Sequence, residues 1–161
     1  MNAETEFRRK GALVEKRSNG MATLADRNQQ RRTGVREVRT LIVDDSSVMR
    51  KIIERTLRQA GIEPLLVHEA GSGVEGLDML KANEFDLILS DINMPTMDGL
   101  EFLRQIQAQK LAPGVPVMMI TTESSEEHVK QAIQAGARGY IRKPFTAEQM
   151  KERVLPLVRA A

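Results

Sequence analysis

"RTLIVDDSSVMRKIIERTLRQAG", residues 39–61, holds two periodicities in one short stretch. Its first five residues, Arg39 to Val43, form an apolar, β-branched run of strand length. Past Asp44 and Asp45 the spacing changes. Val48/Met49, Ile52/Ile53, Thr56/Leu57 and Ala60 recur at the i, i+3, i+4 interval of an amphipathic helix. Ser46 offers a hydroxyl to start that helix and Gly61 a stop, leaving Arg50, Lys51, Glu54, Arg55 and Arg58 for the opposite face. A strand that passes through two acids into a helix is the first half of a strand–helix–strand unit.

The alternation then repeats. "LLVHEA" (65–70) reads as a second strand and "GVEGLDMLKA" (73–82) as a second helix, with Val74, Leu77, Met79 and Leu80 as its apolar positions. "DLILS" (86–90) is a third strand, and Asp98 with Glu101 three residues later forms a capping box. "VPVMMIT" (115–121) is a fourth strand. Ser124 and Glu127 read as another box, opening a helix with Val129, Ala132 and Ile133 that stops at Gly136. "GYIR" (139–142) is a fifth strand, and Thr146 with Gln149 opens a last helix whose stripe is Met150, Val154 and Leu157/Val158. Pro156 is expected to kink or end that helix. Strands alternating with helices of this length predict an α/β fold, a doubly wound parallel sheet of five strands joined by right-handed crossovers.

Composition bounds the rest. A chain of 161 residues can bury one sizeable core and carry a tail. The absence of cysteine excludes disulfide scaffolds, thiol catalysis and Cys-ligated zinc together. Apolar runs such as "VPVMMI" are too short to span a membrane, so no membrane insertion is expected. The opening "MNAETEFRRKGALVEKRSNG" has charges but no apolar core, which argues against a secretory signal and for a cytoplasmic protein. Residues 1–39 hold ten Lys/Arg and five Asp/Glu, a net of +5, whereas residues 40–161 hold 14 and 17, a net of −3. Residues 1–38 therefore read as a basic, disordered extension and residues 39–161 as the folded domain. The mixed charges of the extension and its one aromatic, Phe7, read as a solvated arm, with no nucleic-acid partner expected. Met21 is a second candidate start.

The unusual polar residues share one position in the pattern. Asp44 and Asp45 follow the first strand, Asp91 the third and Lys143 the fifth, while Thr121 ends the fourth. In an open parallel sheet those carboxyl ends line the crevice where ligands bind. Three acids crowded there repel, by on the order of 4 kcal/mol per pair at about 4 Å and an effective dielectric near 20. One lysine cannot neutralise three acids, and an all-oxygen site with open positions suits Mg²⁺. A helix cap alone does not account for two adjacent acids, because Ser46 already supplies the cap. Mg²⁺ beside a carboxylate, a hydroxyl and an ammonium describes phosphoryl transfer, with Asp91 as nucleophile and Lys143 and Thr121 stabilising charge on the phosphoryl oxygens.

"LIVDDSSVMRKII", "LILSDINMPTMDGLEFL", "MMITTES" and "GARGYIRKPFTAEQM" together resemble a response-regulator receiver domain, and within that family the single-domain chemotaxis (CheY-like) type, over residues 39–158. The resemblance implies a flavodoxin-like (βα)5 fold with strand order 2-1-3-4-5, an order that comes with the family and not from these residues. It makes Asp91 the phosphoacceptor. Asp45 and the backbone carbonyl of Asn93 join Asp91 on Mg²⁺, and Asp44 holds the metal through water. Thr121 and Tyr140 become a switch pair, and the Lys143–Pro144 bond is expected to be cis. Asn93 and Glu123 take the positions that tune dephosphorylation. Thr122 stands where the family usually has a smaller residue, and its bulk is expected to narrow access to Asp91.

Neither His68 nor His128 reads as a phosphodonor, so the phosphoryl group is expected from a CheA-like sensor histidine kinase, with the charged face of the first helix as a docking surface by family analogy. Output is expected from the fourth helix, fifth strand and fifth helix (126–158), acting on a flagellar motor switch protein, with the chain ending at Ala161 after the receiver. The resemblance further implies a monomeric signalling switch, not a metabolic enzyme, with Mg²⁺-dependent autophosphorylation from phosphodonors and slow autodephosphorylation. A stand-alone receiver in a non-chemotaxis phosphorelay is the alternative. A flavodoxin reading fails because Asp44-Asp45 would repel a flavin phosphate. A haloacid-dehalogenase-type phosphatase needs Asp-x-Asp after its first strand, whereas the third strand here leads into Asp91-Ile-Asn93.

Overall fold

The computed structural model describes residues 36–123 and 125–159. The extension read as disordered and the Ser124 cap lie outside those residues. The chain divides between Arg36 and Glu37, and the unit beginning at Glu37 holds every described strand and helix. Strands β1 (Val38–Val43), β2 (Leu65–Ala70), β3 (Leu87–Ser90), β4 (Val117–Thr121) and β5 (Gly139–Arg142) alternate with helices α1 (Ser47–Gln59), α2 (Gly73–Ala82), α3 (Gly99–Ala108), α4 (Glu126–Gln134) and α5 (Ala147–Arg159). All strand pairs are parallel and the sheet order is β2-β1-β3-β4-β5.

Both sheet faces are covered, which explains why the central strands read as unbroken apolar runs. Leu41, Val43, Ile88 and Met119 point to one face and pack with Leu77, Leu80, Phe102, Leu103 and Ala132 of α2, α3 and α4. Ile42, Leu87, Leu89 and Ile120 point to the other, against Ile53 and Leu57 of α1 and Met150 and Val154 of α5.

The helices depart from expectation in three places. In α1, Val48 and Ile52 are 68% and 44% exposed, and the buried face is Ile53, Thr56 and Leu57. Adjacent residues lie 100° apart on a helix, so the neighbour of a sheet-facing residue can be turned toward solvent, as Val48 and Ile52 are. Val74 of α2 and Ile133 of α4 are likewise exposed, and Gly73 and Gly76 bury the α2 surface instead. A Cβ at Gly76 would stand 2.9 Å from the Phe102 ring, so the ring takes the room a side chain would need. Helix α4 is capped by Ser125, whose hydroxyl accepts from His128 N. Helix α5 runs through Pro156 to Arg159. The carbonyl left without a helical partner there belongs to exposed Glu152, where water can serve it, while Val154 and Leu155 stay anchored in the core. The Asp98 and Thr146 caps stand as expected, the latter with reciprocal bonds to Gln149.

At the end of the sheet remote from the acids, Arg39 ties β1 to the segment before β3. Its backbone N and Nε reach Asp86 Oδ2 at 2.9 and 3.1 Å, and Nη2 reaches Oδ1 at 3.2 Å. The side-chain bond to Asp86 outweighs burial and raises the Arg39 pKa. With side-chain exposures of 17% and 18%, this pair is shielded enough for its loss to matter. Arg39→Met is expected to lower stability by about 2 kcal/mol, the net worth of the charge-assisted side-chain hydrogen bonds it removes from a shielded site. The urea midpoint measures it, and an unchanged midpoint would show that the pair contributes nothing net.

Candidate functional site

The carboxyl ends of β1, β3 and β5 bring their polar residues together. Lys143 Nζ donates to Asp44 Oδ2 at 2.8 Å and to Asp91 Oδ2 at 3.0 Å, joining three strands by one ammonium. Burial by itself would lower the Lys143 pKa, but the hydrogen bonds to Asp44 and Asp91 carry it above its ordinary value. Asp91 is 7% exposed, and its other oxygen accepts from Ile92 N at 2.7 Å and Asn93 N at 3.3 Å. A nearly buried carboxylate is thus satisfied on both oxygens, which is why it is tolerated at the end of an apolar strand.

Asp44 is buried more deeply, at 1% exposure, and its Oδ1 accepts from Ser46 N at 2.9 Å. That turn presents Ser46 as the α1 cap, with Met49 N donating to its hydroxyl. Asp45 lies exposed beside it. One oxygen each from Asp44, Asp45 and Asp91 lie within 4.8 Å of one another. Hard carboxylate oxygens gathered this closely, open to solvent through Asp45, suit a divalent cation such as Mg²⁺. The residues present therefore fit the expected metal.

Thr121 is fully buried at the end of β4, and its Oγ1 accepts from Glu123 N at 3.0 Å. Parallel pairing places Thr121 opposite Arg142 and Met119 opposite Tyr140, so Thr121 and Tyr140 share a sheet face on a diagonal. Tyr140 is 37% exposed. Asn93 and Thr122 are exposed, and Glu123 is half-buried. Lys143–Pro144 is cis, as is Glu63–Pro64. His68 is half-buried on β2, packed edge-to-face on Phe85, and burial lowers its pKa.

Two residues at the site escaped the sequence reading. Arg50, assigned there to the solvent face of α1, turns back so that Nη1 donates to the Asp44 carbonyl at 2.6 Å while Nε holds Glu69 at 3.0 Å. The signal available was Glu69 near the end of β2, opposite Ile42 of β1, where a cation on α1 can reach it. Gly99 opens α3 with its Cα against the backbone of Asp91 and Ile92. The sequence showed a glycine beside a cap, which does not reveal what it touches.

Comparison with known proteins finds matches in both sequence and overall fold. Residues 40–155 match the family model described as the response regulator receiver domain. The chemotaxis protein CheY-3 of Vibrio cholerae serotype O1 is 43% identical over 119 residues, covering 74% of this chain and 90% of that protein. The chemotaxis protein CheY of Pseudomonas aeruginosa is 41% identical over 117 residues, covering 73% and 93%. Among solved structures, the V. cholerae chemotaxis protein CheY4 superposes with a TM-score of 0.67 at 35% identity, covering 76% of this chain and 99% of that one. The signal receiver domain of the response regulator NarL from Mycobacterium tuberculosis gives 0.66 at 29% identity, covering 78% and 98%.

Proposed function

This chain belongs to the response regulator receiver domain family, whose members are phosphoacceptor switches, and from that premise we propose that it takes a phosphoryl group on Asp91 from a histidine kinase and signals in chemotaxis. The observation that carries the assignment is Lys143 bridging Asp44 and Asp91 from three separate strands. No other described acid combines that contact with two backbone N–H donors on its free oxygen. No described helix is long and apolar enough to cross a membrane.

In transfer, an Asp91 oxygen attacks phosphorus, the bond from phosphorus to the donor imidazole nitrogen breaks, and that nitrogen leaves with the electron pair. The Lys143 ammonium balances charge on the phosphoryl oxygens as it builds. Ile92 N and Asn93 N hold the carboxylate in place so that little reorientation is needed. The Thr121 hydroxyl turns from its Glu123 contact to donate to a phosphoryl oxygen, and the volume it leaves is available to Tyr140. Asp45, Asp91 and the Asn93 carbonyl would hold Mg²⁺ and Asp44 would act through water, as the family resemblance implies for the acidic cluster. The bound cation supplies electrostatic stabilisation of the phosphoryl oxygens. Loss of the group is hydrolysis of the acyl phosphate, with Asn93 and Glu123 placed to influence the attacking water.

Output passes through α4, β5 and α5 by a shift between two arrangements of that face. The partner proposed is a flagellar motor switch protein. Its labelled peptide is expected to bind at least about tenfold more tightly once Mg²⁺ and beryllofluoride, a phosphoryl mimic, are present, a shift of about 1.4 kcal/mol. The label goes on the peptide because the chain has no Trp. The gain should vanish in Asp91→Asn. Absence of peptide binding in both states would leave the phosphoacceptor chemistry standing and remove the motor from the assignment.

A further inference from the structure

His128 has no part in the chemistry above, yet it touches a residue that reaches the site. It lies in the first turn of α4, and its Nδ1 stands 3.1 Å from Glu123 Oε2. The other carboxylate oxygen of Glu123 accepts from Ser125 N at 2.9 Å, and the Glu123 backbone N donates to Thr121 Oγ1 at 3.0 Å. Ser125 in turn caps α4 by accepting from His128 N at 3.5 Å. One residue, Glu123, thus ties the buried hydroxyl of β4 to the start of α4. The same residue lines a cleft of about 250 Å³ together with Val129, Lys130, Tyr140 and Arg142. The residue that His128 contacts therefore bonds Thr121 and shares a cleft with Tyr140.

We propose that His128 is a positioning residue that latches Glu123, and through it Thr121, in the resting arrangement. The inference rests on the phosphoacceptor reading of Asp91 and adds to it a regulator of the switch. As the Thr121 hydroxyl moves inward to donate to a phosphoryl oxygen, its contact with the Glu123 N–H lengthens. Glu123 resists that movement because Ser125 and His128 hold its carboxylate from the α4 side. A ligand that favours the turned state binds against this resistance, and its apparent affinity falls accordingly. With the His128 side chain 48% exposed, the latch has the modest strength of a solvent-screened pair, and its release should raise affinity about two- to fivefold.

The test compares beryllofluoride binding in Mg²⁺ by the wild type, His128→Ala and His128→Gln, read from the bound ¹⁹F resonance. His128→Ala is expected to bind more tightly. His128→Gln, which keeps a side-chain N–H toward Glu123, is expected to return to the wild-type affinity. A residue that only steadied α4 would not tighten ligand binding when removed. Equal or weaker binding by His128→Ala, with a wild type that binds normally, overturns the latch alone. A wild type that takes no beryllofluoride overturns the phosphoacceptor reading and the latch with it.

Discussion

Asp91→Asn is expected to take no phosphoryl group from acetyl phosphate in Mg²⁺, under conditions where the wild type is labelled. The amide has no anionic oxygen to attack phosphorus, and the loss of an activated nucleophile acts on a scale of about 10⁴-fold or more. The fold should survive the change. The amide oxygen can still accept from Ile92 N and Asn93 N, and Lys143 keeps Asp44 as its partner. The local loss is the Lys143 contact to Asp91, where an NH₂ group can now face the ammonium. Unfolding should therefore shift by no more than about 1–2 kcal/mol, separating a chemical defect from a structural one. Intact-mass measurement reads the label directly. Labelling of Asp91→Asn at the wild-type rate would place the acceptor elsewhere. Chelation of Mg²⁺ should abolish labelling of the wild type without unfolding it, because Lys143 already holds Asp44 and Asp91 together.

The sequence carried the architecture because both of its periodicities have physical causes that act locally. Central strands buried on both faces must be apolar throughout, so β1, β3 and β4 stand out as runs. The convergence of Asp44, Asp91 and Lys143 followed from strand ends alone, since parallel strands put their carboxyl ends on one edge. What was not legible depended on rotation and on contacts distant in sequence. Periodicity marks Val48/Met49 and Ile52/Ile53 as pairs but cannot say which member faces the sheet, and one of each proved exposed or nearly so. The start of α4 at Ser125 lies in a run of two serines and two glutamates, which does not tell by itself which hydroxyl caps the helix. Arg50 looked like a solvent-facing charge because the helical wheel shows neither the Asp44 carbonyl nor Glu69.

Gly99→Ala is expected to damage both the fold and the phosphoacceptor, and its cause lies in a contact that no pattern announces. Gly99 begins α3, and its N–H donates to Ile92 O at 2.7 Å, drawing the helix start onto the segment after β3. An added Cβ would collide with the Asp91 carbonyl oxygen and stand 2.8 Å from both Ile92 Cα and Met119 Cε. Only the methionine methyl can move easily, and it is fully buried. Backbone must therefore shift. The carbonyl in the way also accepts from Ser90 Oγ, and Asp91 N donates to Val43 O, so a shift there disturbs the end of β3 as well. Overpacking of this kind costs about 3 kcal/mol, at the upper end of its usual range. Gly61→Ala is the contrast: its φ of +88° strains any side chain, yet nothing lies within 4 Å of the new Cβ. That variant should lose about 1–2 kcal/mol through backbone strain alone and label normally at Asp91. Gly99→Ala should lose more stability, and the fraction that remains folded should still label slowly because the carboxylate has moved relative to Lys143. Urea unfolding and acetyl phosphate labelling at matched folded fraction measure the two effects separately. A Gly99→Ala protein as stable as wild type and labelled at its rate would show that the segment after β3 can yield without carrying Asp91 along.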